Sequence, residues 1–272
     1  MKNYKLKVGI IGCGTIGSEI AKACQGRLSQ RVELAGICDI DEAKASVLNN
    51  SFKKKTAVLK IDDLIEKSGI VVEAASSKVS AQVLEKCVKA GKSCLVMSVG
   101  GLLGREDLLK SAEDKAVKVY IPSGALSGID GLKSAASGRI DSVTLITRKP
   151  PKGLEGAPFI KEKGIDLSKI KEETVIFEGS ASEAVKGFPQ NVNVSAVLSL
   201  AGIGAEKTRV KIVTSPSYTA NTHEVEIKGE FGRIMTRSEN LPSRTNPKTS
   251  ALAVFSAIAT LEGIVSSVRI GT

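Results

Sequence analysis

The sequence predicts an α/β protein of two domains: a doubly wound parallel sheet first, then a second α+β domain carrying an open mixed sheet. Three observations lead there. Up to Pro122, short β-branched runs alternate with segments of helical period, which is the pattern of βαβ units. After Pro122 strand-like runs dominate and helices thin out. The hydrophobic class makes up 42% of 272 residues, enough apolar material to bury a real core.

The strands of the first part read at 7–11, 32–38, 70–72, 94–97 and 117–121. Each is a short apolar run, as expected of strands covered on both faces. The segment 80–90 puts Val83, Leu84, Cys87 and Val88 on one helical face, and 106–112 repeats that period. Residues 123–128, Ser-Gly-Ala-Leu-Ser-Gly, are small and turn-rich and read as a hinge or a site loop. Strand-like runs follow at 141–147, 174–177, 208–214, 224–228 and 233–236, with helical stretches near 192–200 and 248–268. The span 149–171 holds three of the eight prolines and many charges, so it reads as an exposed excursion. In the last helix Val254, Ile258, Leu261 and Val265 line one side, while Leu252, Phe255 and Ile264 fill the other. A helix apolar on nearly all sides should be buried between two bodies.

Composition excludes several classes. Aromatics are 3% of the chain and Trp is absent. That argues against a sandwich built around a buried Trp and against a single-strand nucleic-acid binder, which needs exposed rings. The net charge is +10, from 39 Lys+Arg against 29 Asp+Glu. The lysines are scattered among acids, and the densest run is Lys53-Lys54-Lys55. With no zinc-finger spacing and no basic helix, the charge fits an enzyme that handles anions, without a nucleic-acid partner. Five cysteines, Cys13, Cys24, Cys38, Cys87 and Cys94, form no CxxC pair. They suit reduced, buried thiols in a cytoplasmic protein and leave no metal site. Lys2, Lys5 and Lys7 precede an apolar run, as in a signal peptide, but glycines break that run and a buried strand fits better. The uncharged stretch 249–261 is too short to span a bilayer, so no membrane partner is expected.

The most informative motif is Gly12-Cys13-Gly14-Thr15-Ile16-Gly17. It follows the first strand and opens an amphipathic helix. Gly12 permits the tight turn, Gly14 lets the backbone approach a pyrophosphate, and Gly17 lets helix and strand pack closely. The helix N-terminus, with Thr15 and Ile16 in its first turn, then offers N–H groups to phosphate. Asp39 stands 22 residues past the last glycine, at the end of the second strand, where an acid binds the adenosine ribose. A carboxylate there accepts from ribose hydroxyls and repels a 2′-phosphate. The first part is thus a Rossmann dinucleotide-binding domain, and NAD is expected over NADP, with NADP left open. The loops 74–77, which include Ala75 and Ser76, and 98–101 follow parallel strands at their carboxyl ends. They either line the cofactor or serve as ordinary βα turns.

The chain has one histidine, His223. Its unperturbed pKa suits proton transfer near neutrality, so a rate that rises with pH through that pKa is expected. A single histidine is equally suited to a structural role. Asn221, two positions away, shares a strand face with it.

Taken together, the chain resembles the L-aspartate dehydrogenase family of the NAD-biosynthesis type. The matching stretches are Gly12–Gly17, Val72-Glu73-Ala74-Ala75-Ser76, Ile121-Pro122-Ser123-Gly124-Ala125, Phe188-Pro189-Gln190-Asn191-Val192-Asn193-Val194, Asn221-Thr222-His223-Glu224 and Asn246-Pro247-Lys248-Thr249-Ser250. The last three together are the specific ones. The resemblance implies reversible oxidative deamination of L-aspartate to iminoaspartate and oxaloacetate, with His223 catalytic. It implies cofactor contacts at Ala125 and at Asn193, with Asn191 as a near alternative, and a homodimer. Ser195 stands where the family often has Ala.

A dicarboxylate amino acid needs cations. Lys248 and Arg244 lie on what reads as a turn leading into the last helix, with Asn221 as a further polar contact. The alternative for both cations is a solvated turn. His223 would take a proton from the substrate ammonium or activate the water that hydrolyses the imine. The organisation expected is 1–122 for the dinucleotide, 123–245 for substrate and dimerisation, and 246–272 as a helix packing back toward the first domain. Dihydrodipicolinate reductase, which is similar in layout, would need a paired-His segment that is missing here. Other Rossmann oxidoreductases of homoserine-dehydrogenase layout remain alternatives, as does a non-enzymatic NAD-binding regulator.

Overall fold

The computed structural model describes residues 5–189, 192–243 and 246–272. The chain divides into two compact units. One comprises residues 1–122, 244–249 and 253–269, and the other residues 123–243, 250–252 and 270–272.

The first unit opens with β1 (Leu6–Ile11), α1 (Thr15–Gln25), β2 (Val32–Cys38), α2 (Glu42–Ser51), α3 (Ile61–Lys67), β3 (Ile70–Glu73), α4 (Ser80–Lys89), β4 (Ser93–Val96), α5 (Glu106–Asp114) and β5 (Val119–Tyr120). Its strands form one parallel sheet in the order β2-β1-β3-β4-β5. The apolar runs are buried as their composition requires: Val8, Ile10, Ile37, Val72 and Leu95 are fully covered. Each such side chain contributes roughly 1.5–3 kcal/mol by leaving water. The α4 face made of Val83, Leu84, Cys87 and Val88 is buried as its period predicts. Periodicity missed α2 and α3. The first is marked by its N-cap instead: Asp41 accepts from the N–H groups of Ala43 and Lys44. All five cysteines are buried and none forms a disulfide. Among the described residues no helix is long and apolar enough to cross a membrane.

The second unit contains α6 (Ile129–Ala135), β6 (Ile140–Lys149), α7 (Pro158–Glu162), β7 (Thr174–Ser180), α8 (Ala181–Gly187), α9 (Val192–Ala201), β8 (Arg209–Thr214), β9 (Asn221–Gly229) and β10 (Gly232–Asn240). Its sheet runs β10-β9-β6-β8-β7. The β6–β8 pair is parallel and the others antiparallel, so the sheet is mixed. One face carries Val143, Leu145, Val210, Ile212, Val225 and Ile227 into a core with Leu132 of α6, Ala184 of α8 and Leu198 of α9. The opposite face is charged. There Arg148 and Arg237 both reach Glu224, at 2.6 and 3.1 Å.

Two sequence expectations are amended here. The span 149–171 is exposed over much of its length, as expected, but it is anchored: Leu154 and Ile160 enter the second core, and Phe159 of α7 packs against Phe177 and Phe188 at 5.4 and 5.2 Å between ring centroids. Its prolines start short helical turns. The last helix starts later than its apolar pattern suggests. Two short strands, β11 (Pro242–Ser243) and β12 (Asn246–Ser250), precede α10 (Ala251–Ile264). Val254, Ala257, Ile258 and Leu261 of α10 join the core of the first unit, whereas Phe255 is 63% exposed within the chain.

Candidate active site

In the first unit the glycine motif forms the turn its spacing requires. Gly12 sits at φ +98°, and a Cβ there would lie 2.4 Å from the Ala74 carbonyl oxygen. At Gly17 a Cβ would meet the Gly12 carbonyl oxygen at 1.8 Å. Gly14 is different: it is exposed, and a Cβ would meet nothing within 4 Å. The first two glycines are demanded by the protein itself. The third leaves open space where a ligand backbone can approach. Gly14 is also the N-cap of α1 and brings no side-chain cap, while Thr15 and Ile16 are half-buried in the first turn. Uncapped amides at that end suit a pyrophosphate.

Asp39 closes this cradle. Its Oδ2 accepts from the Cys13 N–H at 2.7 Å and its Oδ1 from the Asp41 N–H at 2.9 Å. A carboxylate oxygen has two lone pairs, so each keeps one for a ribose hydroxyl. Burial, with that same charge, pushes the Cys13 thiol up to about 12, so the cysteine in the motif stays protonated and unreactive.

Glu73, which sequence reading did not assign a task, ties together the two neighbouring loops. It is fully buried at the end of β3. Its carboxylate accepts from the Ala75 N–H at 2.8 Å and from the Ser98 N–H and hydroxyl at 3.0 and 2.9 Å. Burial raises its pKa, against the pull of these donors. Ala75 and Ser76 are thereby held at the surface next to the glycine turn. These features fit a dinucleotide: an open glycine, an uncapped helix start, a ribose-type acid and two anchored loops on one sheet edge.

In the second unit the sheet face changes character along its length. Val143 and Leu145 of β6 face the core; the next two residues on that face are Thr147 and Lys149. Across the ladder Thr147 pairs with His223 and Lys149 with Thr214. On β10, Ser238 pairs with His223 and Asn240 with Asn221. One end of an otherwise apolar face is thus built of Thr214, Lys149, Thr147, His223, Asn221, Ser238 and Asn240.

His223 is 6% exposed, and Thr147 Oγ1 lies 3.1 Å from its Nδ1. Burial, together with the positive charge of Lys149, lowers its pKa to about 4. This corrects the expectation of a titration near neutrality: the imidazole is neutral throughout the physiological range. Lys149 is 8% exposed, and burial brings its ammonium down to about 8. The loop at 123–128 is fastened to this polar end. Ser238 Oγ and Asn240 Nδ2 both donate to the Ala125 carbonyl, at 3.0 and 3.1 Å. Ala125, His223 and Asn221 therefore belong to one local assembly.

The remaining sequence candidates lie elsewhere. Asn193 is exposed in the first turn of α9. Lys248 lies in β12, so the turn expected there is extended chain and the helix starts three residues later. Arg244 and Asn191 fall outside the described residues. Among the described residues no cluster of three or more His, Cys, Asp or Glu could hold a metal ion.

Similarity to known proteins agrees with this geometry. The family model for the C-terminal part of aspartate dehydrogenase matches residues 130–264. An L-aspartate dehydrogenase of Methanosarcina acetivorans is 49% identical, covering 98% of this chain and 100% of its own. The chain belongs to the aspartate dehydrogenase family. An L-aspartate dehydrogenase of Bradyrhizobium diazoefficiens is 41% identical over 98% of this chain and 95% of its own length. The crystal structure of an aspartate dehydrogenase from Thermotoga maritima superposes with a TM-score of 0.76 at 28% identity, covering 98% of this chain and 100% of that one. Residues 12–122 match the model of the NAD-binding domain of homoserine dehydrogenase. The homoserine dehydrogenase structure from Thiobacillus denitrificans shares the fold alone, at 12% identity and a TM-score of 0.63, covering 96% of this chain and 73% of its own.

Proposed function

We propose that this chain catalyses the reversible oxidation of L-aspartate. L-Aspartate, NAD⁺ and water give oxaloacetate, ammonium, NADH and a proton, by way of iminoaspartate. The observation that carries the reading is the state of His223: buried, neutral, and held through Nδ1 by Thr147 on a polar sheet end beside Ala125. When bound, the nicotinamide accepts a hydride from the substrate Cα or returns it in the amination direction.

The protein supplies binding and proton transfer. A base needs a lone pair, so the working tautomer carries its proton on Nδ1 and donates it to Thr147 Oγ1. This leaves Nε2 to accept a proton from the substrate ammonium or from the water that attacks the imine. Burial keeps the ring unprotonated, so no pH adjustment is needed before it acts. Gly12, Gly14, Thr15, Ile16, Gly17, Asp39, Ala75 and Ser76 are assigned to the dinucleotide, and the family resemblance adds Ala125 and Asn193. Asn221 is assigned to the substrate on its shared face with His223. Lys248 and Arg244 are kept as further candidate cations for its carboxylates.

NAD is taken over NADP on the strength of Asp39, an acid just past β2 beside the glycine turn, which would repel a 2′-phosphate. A homodimer working in the cytoplasm, supplying iminoaspartate to NAD biosynthesis, completes the proposal. The reduced thiols and the family resemblance support it.

The test is turnover. Oxaloacetate with ammonia and NADH should be consumed, and L-aspartate with NAD⁺ should run the reverse. Glutamate places its distal carboxylate one methylene away, and such a displacement costs about a hundredfold. Equal rates on glutamate and aspartate would contradict the assignment.

A further inference from the structure

We infer that Lys149 is the cation that receives a carboxylate of the dicarboxylate substrate beside His223. This rests on the reading of the reaction given above, and it adds a residue that sequence reading had placed in a solvated excursion.

Position comes first. Thr147 and Lys149 are the last two inward-facing residues of β6, and Thr147 is directly opposite His223. Two residues along a strand is roughly 7 Å, so the Lys149 backbone lies about that far along β6 from Thr147, the residue opposite His223, on the same face. The lysine stem is fixed. Its Cβ and Cδ pack over Gly153, within 3.6 Å of where a Cβ on that glycine would stand. Its own carbonyl accepts from Thr214 Oγ1 at 2.7 Å.

Charge comes second. Buried lysines are normally paired, because an isolated ammonium in the interior is costly. Lys149 is 8% exposed, burial lowers its pKa, and it forms none of the ion pairs seen among the described residues of this unit. On the other sheet face the arginines have acids: Arg148 meets Glu224 and Glu173, and Arg237 meets Glu224 and Glu239. Among the described residues, the polar end of the inward face, Thr214, Lys149, Thr147, His223, Asn221, Ser238 and Asn240, holds a cation and no acid. A substrate carboxylate supplies the missing charge.

The two groups are also coupled. The positive charge of Lys149 is one of the two causes that lower the His223 pKa. A carboxylate seated on Lys149 cancels that field, so the imidazole gains basicity when substrate arrives. Cation and base, pushed apart by their surroundings, thus take the separate tasks of holding and deprotonating.

The experiment compares Lys149→Met and Lys149→Arg with the wild type in three readings. These are KM and kcat for L-aspartate and oxaloacetate, the NADH dissociation constant, and calorimetric titration of succinate into the NADH-loaded protein. Loss of a charge-assisted contact should raise KM and weaken succinate about 10- to 100-fold in Lys149→Met. NADH affinity should hold, and Lys149→Arg should recover part of the loss. Removing an unpaired buried charge should leave the melting temperature of Lys149→Met level or higher. Unchanged KM and unchanged succinate affinity in Lys149→Met would overturn the inference, and so would parallel losses of NADH and succinate binding. The reaction is judged separately by the wild type. Failure of wild-type turnover with succinate binding still dependent on Lys149 rejects the aspartate reaction and keeps the cation. Normal wild-type turnover with Lys149→Met unaffected rejects the cation and keeps the reaction.

Discussion

Thr147 Oγ1 lies 3.1 Å from His223 Nδ1, and the two residues are directly opposite each other on adjacent antiparallel strands. The ladder register therefore fixes the ring orientation: a one-residue slip would turn His223 onto the charged face.

Thr147→Val tests that relationship. Valine keeps the branched shape and removes the hydroxyl. The imidazole then loses the partner that selects its tautomer, and kcat should fall about fivefold, in line with the loss of roughly 1 kcal/mol for one neutral hydrogen bond. NADH affinity should not move. Steady-state kinetics alongside NADH binding checks this, and an unchanged kcat would show that Thr147 does not orient the ring.

The depressed His223 pKa makes a stability prediction. The folded value is about 4 against the ordinary 6.5. Between those pH values the unfolded chain binds more protons than the folded one. Stability therefore rises with pH across that window and is lost as pH falls through it. The full difference is roughly 3 kcal/mol. His223→Gln removes the titration, so its denaturant midpoint should decline less than that of the wild type from pH 6.5 to pH 4. Parallel declines would mean that the imidazole is not buried neutral. The same value, which belongs to the free protein, predicts no imidazole inflection in kcat/KM between pH 6 and pH 8.

Asp39 makes a specificity prediction. Asp39→Ala removes the acceptor for ribose and the repulsion of a 2′-phosphate together. NAD should bind more weakly and the NADP-to-NAD ratio of kcat/KM should rise, by about tenfold or more given hydrogen bonds to a charged group worth about 1.5–3 kcal/mol. Equal losses for both nucleotides would argue that Asp39 only braces the Cys13 and Asp41 amides.

How far the sequence led differs between the two units. The parallel sheet was legible because each strand is a short, mostly apolar run and the glycine motif sits at its first turn. Helices α2 and α3 escaped because their apolar faces are short: α2 buries only Ala45 and Leu48, so capping by Asp41 marks it better than periodicity. Glu73 escaped because a lone acid after an apolar run reads as a strand end; only three-dimensional contact shows it bridging Ala75 and Ser98. Lys149 and Thr147 escaped for a related reason. The alternation of β6 continues to Lys149, but its last inward positions are polar, and a lysine followed by Pro150 and Pro151 resembles the start of a loop. His223 was legible as the single histidine of the chain, although its ionisation was not. That depends on burial and on Lys149, which stands 74 residues earlier in the sequence.

The most direct test of the account is kcat for L-aspartate oxidation in His223→Ala, measured with NADH affinity and melting temperature on the same preparation. With His223 as the neutral base, kcat should fall by about 10²–10⁴-fold, the usual share of general acid–base catalysis, while NADH binding and folding persist. A folded His223→Ala protein that binds NADH and turns over aspartate at a near-normal rate would contradict it.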